Sequence, residues 1–352
     1  MSAQKSFKGY AVTDAKNWTD FKVIEYPSKN FEETDIEIAI SHCGVCASDI
    51  HTISSGWGPV ETPQVVGHEI AGVAVRVGSK VKGIKVGDRV GVGAQIGSCY
   101  SCNYCSSDNE QYCGKSINTY ADRYPDGVRT QGGYSTGIIA HEQFVFPIPA
   151  GLTNAEACSM FCGGLTVFSP LVRNGAGPGK RVGIIGIGGL GHFAIMFAKA
   201  LGAEVTAFTH SRSKEADIKK MGADHTVVTE PGFQEQHQRG LDLIVSTVNV
   251  SEGIKLSEYL SMLDMHGKFI CVGAPDEPIK NISPFSLIFN GCFFGGSKIG
   301  SKKEATRMLE LAAQKGIKPW IEELPMKDVA KAVKGVHDNK VRYRYVLKQD
   351  LA

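Results

Sequence analysis

A glycine-rich turn near the middle of the 352-residue chain constrains its fold more than any other stretch. Residues 180–191 read KRVGIIGIGGLG, a β-branched strand that runs into the turn, and a helix follows from Leu190 to about Leu201. Gly186 permits a tight turn, Gly188 lets the backbone approach a pyrophosphate, and Gly191 lets the helix pack on the strand. The positive end of the helix then favours the anion. The residues expected to contact a dinucleotide here are Gly186, Gly188, Gly189, Leu190 and Gly191.

The end of the next strand indicates which dinucleotide is bound. An NAD site places Asp or Glu roughly 20 residues past the glycine turn, on the ribose 2′-hydroxyl. Here the strand 204–209 is followed by HSRSK, with no acid until Glu215. Ser211, Arg212 and Lys214 can instead hold a 2′-phosphate. We therefore expect NADP(H), the alternative being a solvated basic loop.

Strands and amphipathic helices alternate through the centre of the chain, as a doubly wound parallel sheet requires. The remaining central segments are strands at 241–245, 268–272 and 292–295 and helices at 213–221 and 253–263. Towards the N-terminus, alternating and Gly/Val-rich strands predict a small β-barrel-like region. After the centre, Ser301 and Glu304 have capping-box spacing and open a helix to about Lys315. A helix at 326–337 and a strand at 343–347 end the chain.

Four of the 10 cysteines cluster in one polar loop, at Cys99, Cys102, Cys105 and Cys113. The polar first residues lack the apolar core of a secretory signal, so we expect a cytosolic protein. In such a chain, tight cysteine spacing indicates metal rather than disulfides. Four thiolates close a tetrahedral zinc site and leave no position for substrate, so this zinc is expected to be structural.

The overall charge gives no reason to expect nucleic acid or an anionic membrane as a partner. The formal net charge is +2, with 42% hydrophobic and 21% charged residues, which is typical of a globular protein. One apolar run, 182–203, has the length of a membrane span. Its glycines, together with His192 and Lys199, favour the strand–turn–helix interpretation.

A second set of metal-capable residues is spread along the chain: Cys46, His68 and Cys162. A catalytic zinc keeps three protein ligands and one open position. Taken singly, each residue has an ordinary explanation, since buried cysteines are commonly apolar fillers. That explanation is adopted for Cys43, Cys158, Cys271 and Cys292. The metal interpretation depends on the joint context.

The motifs occur together and in a characteristic order: 43–51 (CGVCASDIH), 67–69 (GHE), the four-cysteine loop, 162–166 (CGGLT) and the glycine turn. This combination resembles the zinc-dependent medium-chain alcohol dehydrogenases of the cinnamyl alcohol dehydrogenase type. Within them it is most similar to the fungal NADP-dependent enzymes. The resemblance covers nearly the whole chain, and residues 127–134 and 162–170 carry the subgroup features.

The resemblance implies an α/β fold: a GroES-like β-rich catalytic domain plus a Rossmann domain with a doubly wound parallel sheet. The expected boundaries are 1–154 and 297–352 for the catalytic domain and 155–296 for the NADP-binding domain. Residues 285–294 lie where this family pairs subunits, so a homodimer is expected.

The resemblance also assigns roles to single residues. It implies two zinc ions per subunit, with Cys46, His68 and Cys162 as catalytic ligands and the four-cysteine loop as the structural site. Asp49 would orient the zinc-bound histidine, and Ser48 and His51 would form a proton relay through the nicotinamide ribose. Glu69 is either an occasional zinc ligand or an ordinary salt-bridged carboxylate. Further cofactor contacts are expected at Thr166, Thr247, Gly273, Ser297, Lys298 and Ile299.

The expected activity is interconversion of aldehydes and primary alcohols by hydride transfer, favouring reduction by NADPH. Apolar candidates for a pocket that takes aryl or medium-chain aldehydes are Trp57, Ile96, Tyr120, Phe285 and Ile299. One alternative is a polyol or secondary-alcohol dehydrogenase on the same frame. Another is a non-catalytic protein that binds zinc and nucleotide. A zinc-ribbon nucleic-acid binder would rest on the four-cysteine loop alone, and the near-neutral charge disfavours it.

Overall fold

The chain folds into two compact units, the first of which is formed by both of its ends. The structure is a computed structural model that describes residues 5–250, 253–275, 277–279 and 282–351. The first unit comprises Met1–Gly163 and Ser301–Ala352, and the second comprises Gly164–Gly300. The divisions at 163/164 and 300/301 fall nine and four residues after the boundaries expected from the sequence, at 154/155 and 296/297.

The N-terminal segment is rich in short strands. Its strands are β1 (Ser6–Val12), β2 (Phe21–Pro27), β3 (Asp35–Gly44), β4 (Glu69–Val77), β5 (Arg89–Val92), β6 (Gln95–Gly97), β7 (Ile117–Asn118), β8 (Gly137–His141) and β9 (Val145–Pro147). Its α-helices are α1 (Ala47–Ile53), α2 (Asn103–Ser106) and α3 (Asn154–Cys158).

The central segment alternates helices and strands. In chain order these are α4 (Gly163–Arg173), β10 (Arg181–Ile185), α5 (Gly191–Ala200), β11 (Glu204–Thr209), α6 (Glu215–Met221), β12 (His225–Val228), β13 (Leu241–Ser246), α7 (Leu256–Ser261), β14 (Leu263–Cys271), α8 (Phe285–Ile288) and β15 (Phe293–Gly296). The C-terminal segment adds α9 (Lys302–Lys315), β16 (Ile321–Pro325), α10 (Val329–His337) and β17 (Arg344–Lys348). Single 3₁₀ turns lie at Ala15–Asn17, Glu110–Tyr112, Glu142–Phe144, Ser159–Phe161, Arg212–Lys214, Glu235–His237 and Met326–Asp328.

The main sheet of the first unit runs in the order β16-β17-β3-β4-β5-β9, with β8 also paired to β3. The central strand β3 is buried along most of its length, and its Ile36 and Ile38 are fully inaccessible. Burying such aliphatic side chains stabilises the sheet by about 1.5–3 kcal/mol each. Antiparallel pairing of β3 and β4 puts Gly44 opposite Glu69. This register brings the residues that follow β3 close to those that precede β4.

The second unit contains a parallel sheet whose described strands run in the order β12-β11-β10-β13-β14-β15. When these strands are numbered in chain order with β10 as strand 1, this is the 3-2-1-4-5-6 order of dinucleotide-binding sheets. The order reverses between β10 and β13, and ligands bind beyond the carboxyl ends of the strands at such a point. The glycine turn follows β10 at that position. The expected Rossmann architecture is therefore confirmed.

Several local predictions are confirmed by the structure. Ser301 caps α9 and Glu304 completes the capping box, with Ser301 Oγ accepting from the Glu304 amide. The apolar run at 182–203 is split between β10 and α5. The helix expected at 253–263 is shorter, since Gly253 has φ +77 and Leu263 already belongs to β14.

The helices of the described ranges are short relative to a bilayer. No single helix there is long and apolar enough to cross a bilayer, while one pair, Asn154–Phe161 with Gly163–Arg173, bent by 58°, meets the length and composition criteria jointly.

Candidate functional site: two cysteine-containing metal sites and a dinucleotide turn

Two loop segments joined by the β3–β4 pair bring together the dispersed metal set. Cys46 is the N-cap of α1, two residues after the end of β3, and His68 directly precedes β4. Cys162 follows the 3₁₀ turn Ser159–Phe161. Ligand atoms of Cys46, His68, Glu69 and Cys162 lie within 4.8 Å of one another, and all four residues are buried. The three predicted zinc ligands therefore converge in the first unit.

The donor atoms of this cluster have the chemistry of a zinc site. Two sulfurs and one imidazole nitrogen are ligands that zinc accepts, and a fourth position can take substrate. The His68 Nε2 lies 3.1 Å from the Cys162 Sγ. Interaction with the Cys162 thiol, and then with His68, lowers the pKa of Cys46 well below its usual range. The same interaction raises the pKa of Cys162, so the environment favours one thiolate, on Cys46, before a metal binds. The residues present therefore fit a zinc ion.

A network of hydrogen bonds fixes the orientation of the His68 ring. Its Nδ1 lies 3.0 Å from Tyr120 Oη and 3.5 Å from Asp49 Oδ1. Asp49 is itself held, since its carboxylate accepts from the amides of Cys46 (2.9 Å) and Gly67 (3.1 Å). Partners of this kind set the tautomer and leave Nε2 for the metal. The orienting role expected for Asp49 fits this geometry.

Two tyrosines that support this network were not recognised as such from the sequence. Tyr134 Oη donates to Asp49 Oδ2 at 2.9 Å, and the side chain of Tyr134 is fully inaccessible. Tyr120 was expected to line a substrate pocket, whereas the structure buries it against His68. Ile96 is 2% exposed and belongs to the apolar core of the first unit. Substrate contact by Tyr120 or Ile96 remains a prediction.

Glu69 forms a buried ion pair with Arg344. The Arg344 Nη2 contacts both carboxylate oxygens of Glu69, and both side chains are at most 4% exposed. Oε1 of Glu69 also accepts from the Gly163 amide at 3.2 Å. A Cβ at Gly44 would lie 2.0 Å from Oε2, so only glycine leaves room for this carboxylate. Burial raises the pKa of Glu69 to about 7, while Arg344 acts in the opposite direction.

The two predicted relay residues lie on α1, next to the metal ligands. Ser48 Oγ is 3.5 Å from Cys46 Sγ. His51 stacks on Trp57, with ring centroids 4.7 Å apart and planes within 8°. Trp57 remains 49% exposed, and substrate contact by it remains a prediction. Ser48 and His51 are three residues apart, a spacing at which helical side chains share a face.

The four-cysteine loop has the dimensions of a tetrahedral zinc–thiolate site. A ZnS₄ tetrahedron with 2.3 Å bonds has edges of about 3.8 Å. Four sulfur–sulfur separations are 3.5 Å (Cys99–Cys113), 3.6 Å (Cys102–Cys105), 3.8 Å (Cys102–Cys113) and 3.9 Å (Cys99–Cys105). The backbone amides of Cys102 and Lys115 donate to these sulfurs, which favours thiolates. This loop therefore fits the predicted structural zinc.

The glycine turn has the geometry that its spacing predicts. Gly186 has φ +85, and an added Cβ would lie 2.9 Å from Thr247 Oγ1. A Cβ at Gly191 would lie 2.0 Å from Gly186 O, so this glycine allows the helix to approach the strand. Around Gly188 no heavy atom of the described chain lies within 4 Å of an added Cβ. Such open space is compatible with the predicted approach of a pyrophosphate to the backbone.

The predicted 2′-phosphate residues follow β11 in a single 3₁₀ turn. Ser211 Oγ lies 2.8 Å from Ser213 Oγ, which makes Ser213 a further hydroxyl at this site. Lys214 Nζ donates to Ile187 O in the glycine turn at 2.6 Å. Arg212 is 73% exposed and lies 3.6 Å from Glu215. These side chains therefore gather around the end of β11, beside the glycine turn.

The other predicted cofactor residues of the second unit are spread over several elements. Thr247 Oγ1 donates to Gly186 O at 2.6 Å and so holds the glycine turn. A Cβ at Gly273 would lie 2.0 Å from Val248 O. Thr166 lies on α4 and is 8% exposed. Residues Ser297, Lys298 and Ile299 follow β15 directly.

Two known protein families each match one part of the chain. The alcohol dehydrogenase GroES-like domain family matches residues 32–150. The zinc-binding dehydrogenase family matches residues 189–314.

Individual relatives match nearly the full length. The chain is 41% identical over 353 residues to NADP-dependent alcohol dehydrogenase 6 of Saccharomyces cerevisiae, covering 99% of this chain and 98% of that protein. Among solved structures, a cinnamyl alcohol dehydrogenase of Sorghum bicolor gives a TM-score of 0.92 at 33% identity, with 98% of each chain covered. The Helicobacter pylori enzyme complexed with NADP(H) gives 0.90 at 33% identity, again with 98% of each chain covered. The chain belongs to the zinc-dependent medium-chain alcohol dehydrogenase family, of the cinnamyl alcohol dehydrogenase type.

Proposed function

We propose that the protein is an NADP(H)-dependent zinc alcohol dehydrogenase that interconverts aromatic and medium-chain aldehydes with primary alcohols. The observation that carries the proposal is the buried convergence of Cys46, His68 and Cys162. Three protein ligands leave a position for a substrate oxygen, as in catalytic rather than structural zinc sites. The names of the relatives, an NADP-dependent alcohol dehydrogenase and cinnamyl alcohol dehydrogenases, support the same activity.

The chain's own residues have separate tasks in this reaction. When bound, zinc supplies a Lewis acid for the substrate oxygen and NADPH supplies the hydride. Cys46, His68 and Cys162 hold the metal, and Asp49 keeps His68 Nδ1 engaged so that Nε2 faces it. The Ser48 hydroxyl, beside Cys46, exchanges the proton of the substrate oxygen, and His51 accepts or returns it.

Turnover with matched cofactors and substrates tests this function. The purified protein should oxidise NADPH with cinnamaldehyde, benzaldehyde and hexanal, and should use NADH poorly. A preference for ketones or sugars in the same assay would move the assignment to a secondary-alcohol or polyol dehydrogenase. Binding of NADPH without its oxidation by any aldehyde would contradict the proposal and favour a non-catalytic nucleotide-binding protein.

Arg212→Asp is expected to raise the KM for NADPH about 10- to 100-fold while leaving that for NADH within about threefold. An aspartate at this position repels a 2′-phosphate and can accept a hydrogen bond from a 2′-hydroxyl. Steady-state kinetics with both cofactors measure the change. Arg239→Asp on the same unit serves as a control for the added negative charge. An unchanged NADPH/NADH ratio in Arg212→Asp would reject the phosphate role of Arg212.

We also propose that two copies of the chain pair through the β15 side of the second unit. Strand β15 is the last described strand on its side of the sheet, and edge strands with apolar surface favour pairing. Its Phe293 is 58% exposed. Nearby in the sequence, Phe285, Ile288 and Phe289 on and after α8 are 64%, 66% and 76% exposed. Four large apolar side chains that are each more than half exposed favour an interface with another protein chain.

The double variant Phe289→Asp/Phe293→Asp is expected to sediment as a monomer, whereas the unaltered protein sediments as a dimer. Two carboxylates per copy in a desolvated interface oppose association. Val23→Asp/Val86→Asp, at exposed positions of the first unit, should leave the dimer intact. A dimer that persists in the Phe289/Phe293 variant would place the subunit contact elsewhere.

A further inference from the structure

Glu110 joins the four-cysteine loop to the start of α9. It lies in the 3₁₀ turn Glu110–Tyr112, shortly before Cys113, and is 3% exposed. Its Oε1 accepts from the backbone amide of Lys302 at 2.6 Å and from Gln143 Nε2 at 3.2 Å. A hydrogen bond from a helix N-terminus to a buried carboxylate is charge-assisted, because the N-terminal amides carry partial positive charge. The metal loop and the first residue of α9 are therefore firmly linked.

The Glu110 main chain is held from the opposite side. Its carbonyl oxygen accepts from Gln95 Nε2 at 3.0 Å, and Gln95 also bonds to Gly97 O within β6. The sulfur cluster of Cys99, Cys102, Cys105 and Cys113 encloses the same loop. The position of the Glu110 carboxylate therefore depends on the order of this loop.

The residues just before α9 have a strained backbone. Ile299 has φ +45, a left-handed conformation that is unfavourable for a β-branched residue. Such a conformation persists only where its surroundings hold it. On one side, the Ser297 amide donates to Cys271 O of β14 at 3.2 Å. On the other side, Lys302 is held by Glu110. The residues that flank 298–301 each have such a backbone hydrogen bond, Ser297 to Cys271 and Lys302 to Glu110.

We propose that Glu110 is a positioning residue for the cofactor. By fixing Lys302, its carboxylate keeps Ser297, Lys298 and Ile299 in the conformation that contacts NADP(H). A hydrogen bond between the four-cysteine loop and Lys302 thereby acts on the backbone of the neighbouring segment that is predicted to contact the cofactor. This inference rests on the proposed function, because the cofactor contacts of 297–299 are part of that proposal.

A proline substitution isolates the hydrogen bond between Glu110 and Lys302. Lys302 is the first residue of α9, where proline is tolerated and lacks the amide donor. Ser301 has φ −79 and ψ 166, an extended conformation that a following proline accepts. Lys302→Pro therefore removes the donor and leaves Glu110 and the cysteines unchanged. Lys302→Ala removes the same side chain, including its bond to Glu142 O, and keeps the amide.

The zinc-loaded variants are compared in NADPH titration, turnover and backbone amide exchange. Relative to Lys302→Ala, Lys302→Pro is expected to raise the Kd for NADPH about tenfold, with kcat changed less than about twofold. Amide exchange should be faster in 297–301 and unchanged in β10 and β13. Glu110→Ala should reproduce both effects, and Glu110→Gln, which keeps the acceptor oxygen, should restore NADPH binding to within about threefold.

Equal NADPH affinity in Lys302→Pro and Lys302→Ala would overturn the inference. So would accelerated exchange spread evenly over the chain, since a general loss of stability would then explain the weaker binding. Failure of the proposed function is distinguishable, because it would appear in the unaltered protein as absence of NADPH oxidation with every aldehyde.

Discussion

Cys162→Ser is expected to lower kcat/KM for aldehyde reduction by about 1000-fold or more, while the Kd for NADPH stays within about twofold. A neutral serine hydroxyl does not replace a thiolate as a zinc ligand. Loss of about 4 kcal/mol of transition-state stabilisation by the metal corresponds to about three orders of magnitude in rate. NADPH affinity should persist, because the glycine turn and the Ser211–Lys214 loop are unchanged.

Cys158→Ala is the matched control for this substitution. Cys158 is fully buried and Cys162 is 7% exposed, and the Sγ of Cys158 donates only to Ala155 O among the described contacts, at 3.3 Å. It lies outside the convergent group formed by Cys46, His68, Glu69 and Cys162. We expect the activity of Cys158→Ala to stay within about threefold of that of the unaltered protein. Equal activity in Cys162→Ser and Cys158→Ala would remove the metal role from Cys162.

Arg344→Met is expected to lower the free energy of unfolding by about 3–5 kcal/mol. The substitution leaves the Glu69 carboxylate buried without its cation, and an uncompensated buried charge is strongly destabilising. Glu69→Gln/Arg344→Met should recover most of the loss, because the neutral amide needs no cation and still accepts from the Gly163 amide. Urea unfolding of the zinc-loaded proteins measures both changes.

The surface pair Arg123–Glu61 provides the comparison for that loss. Both side chains are more than half exposed, at 55% and 62%. Arg123→Met should therefore change stability by less than about 1 kcal/mol. Two results would show that loss of the buried ion pair does not control the free energy of unfolding. One is a similarly small change in that free energy for Arg344→Met, and the other is a double variant no more stable than Arg344→Met alone.

Features encoded by neighbouring residues could be predicted from the sequence. The glycine turn depends on spacing within a few positions, and the capping box at Ser301 depends on one residue three positions later. The doubly wound parallel sheet was indicated by the alternation of strands with helices and by the family resemblance, whereas the order of its strands came from the structure. These elements formed where they were expected because their determinants are local.

The support of the catalytic cluster could not be predicted in the same way. Arg344 reaches Glu69 across 275 positions, and Tyr134 reaches Asp49 across 85. No local pattern distinguishes such a tyrosine or arginine from others in the chain, since the pairing depends on sheet register. Gly44, which makes space for the Glu69 carboxylate, is a signal only when its partner strand is known. The catalytic metal set of Cys46, His68 and Cys162 was recognised through the family resemblance, whereas the four-cysteine loop was recognised by its spacing.

Zinc content per subunit distinguishes a catalytic metal from a purely structural one, since the proposed reaction requires zinc at Cys46, His68 and Cys162 in addition to the four-cysteine loop. Elemental analysis of the purified protein should give two zinc atoms per subunit, and Cys162→Ser should retain one. A single zinc atom in the unaltered protein, lost on substitution of Cys113 and unaffected by substitution of Cys162, would contradict a catalytic zinc at Cys46, His68 and Cys162.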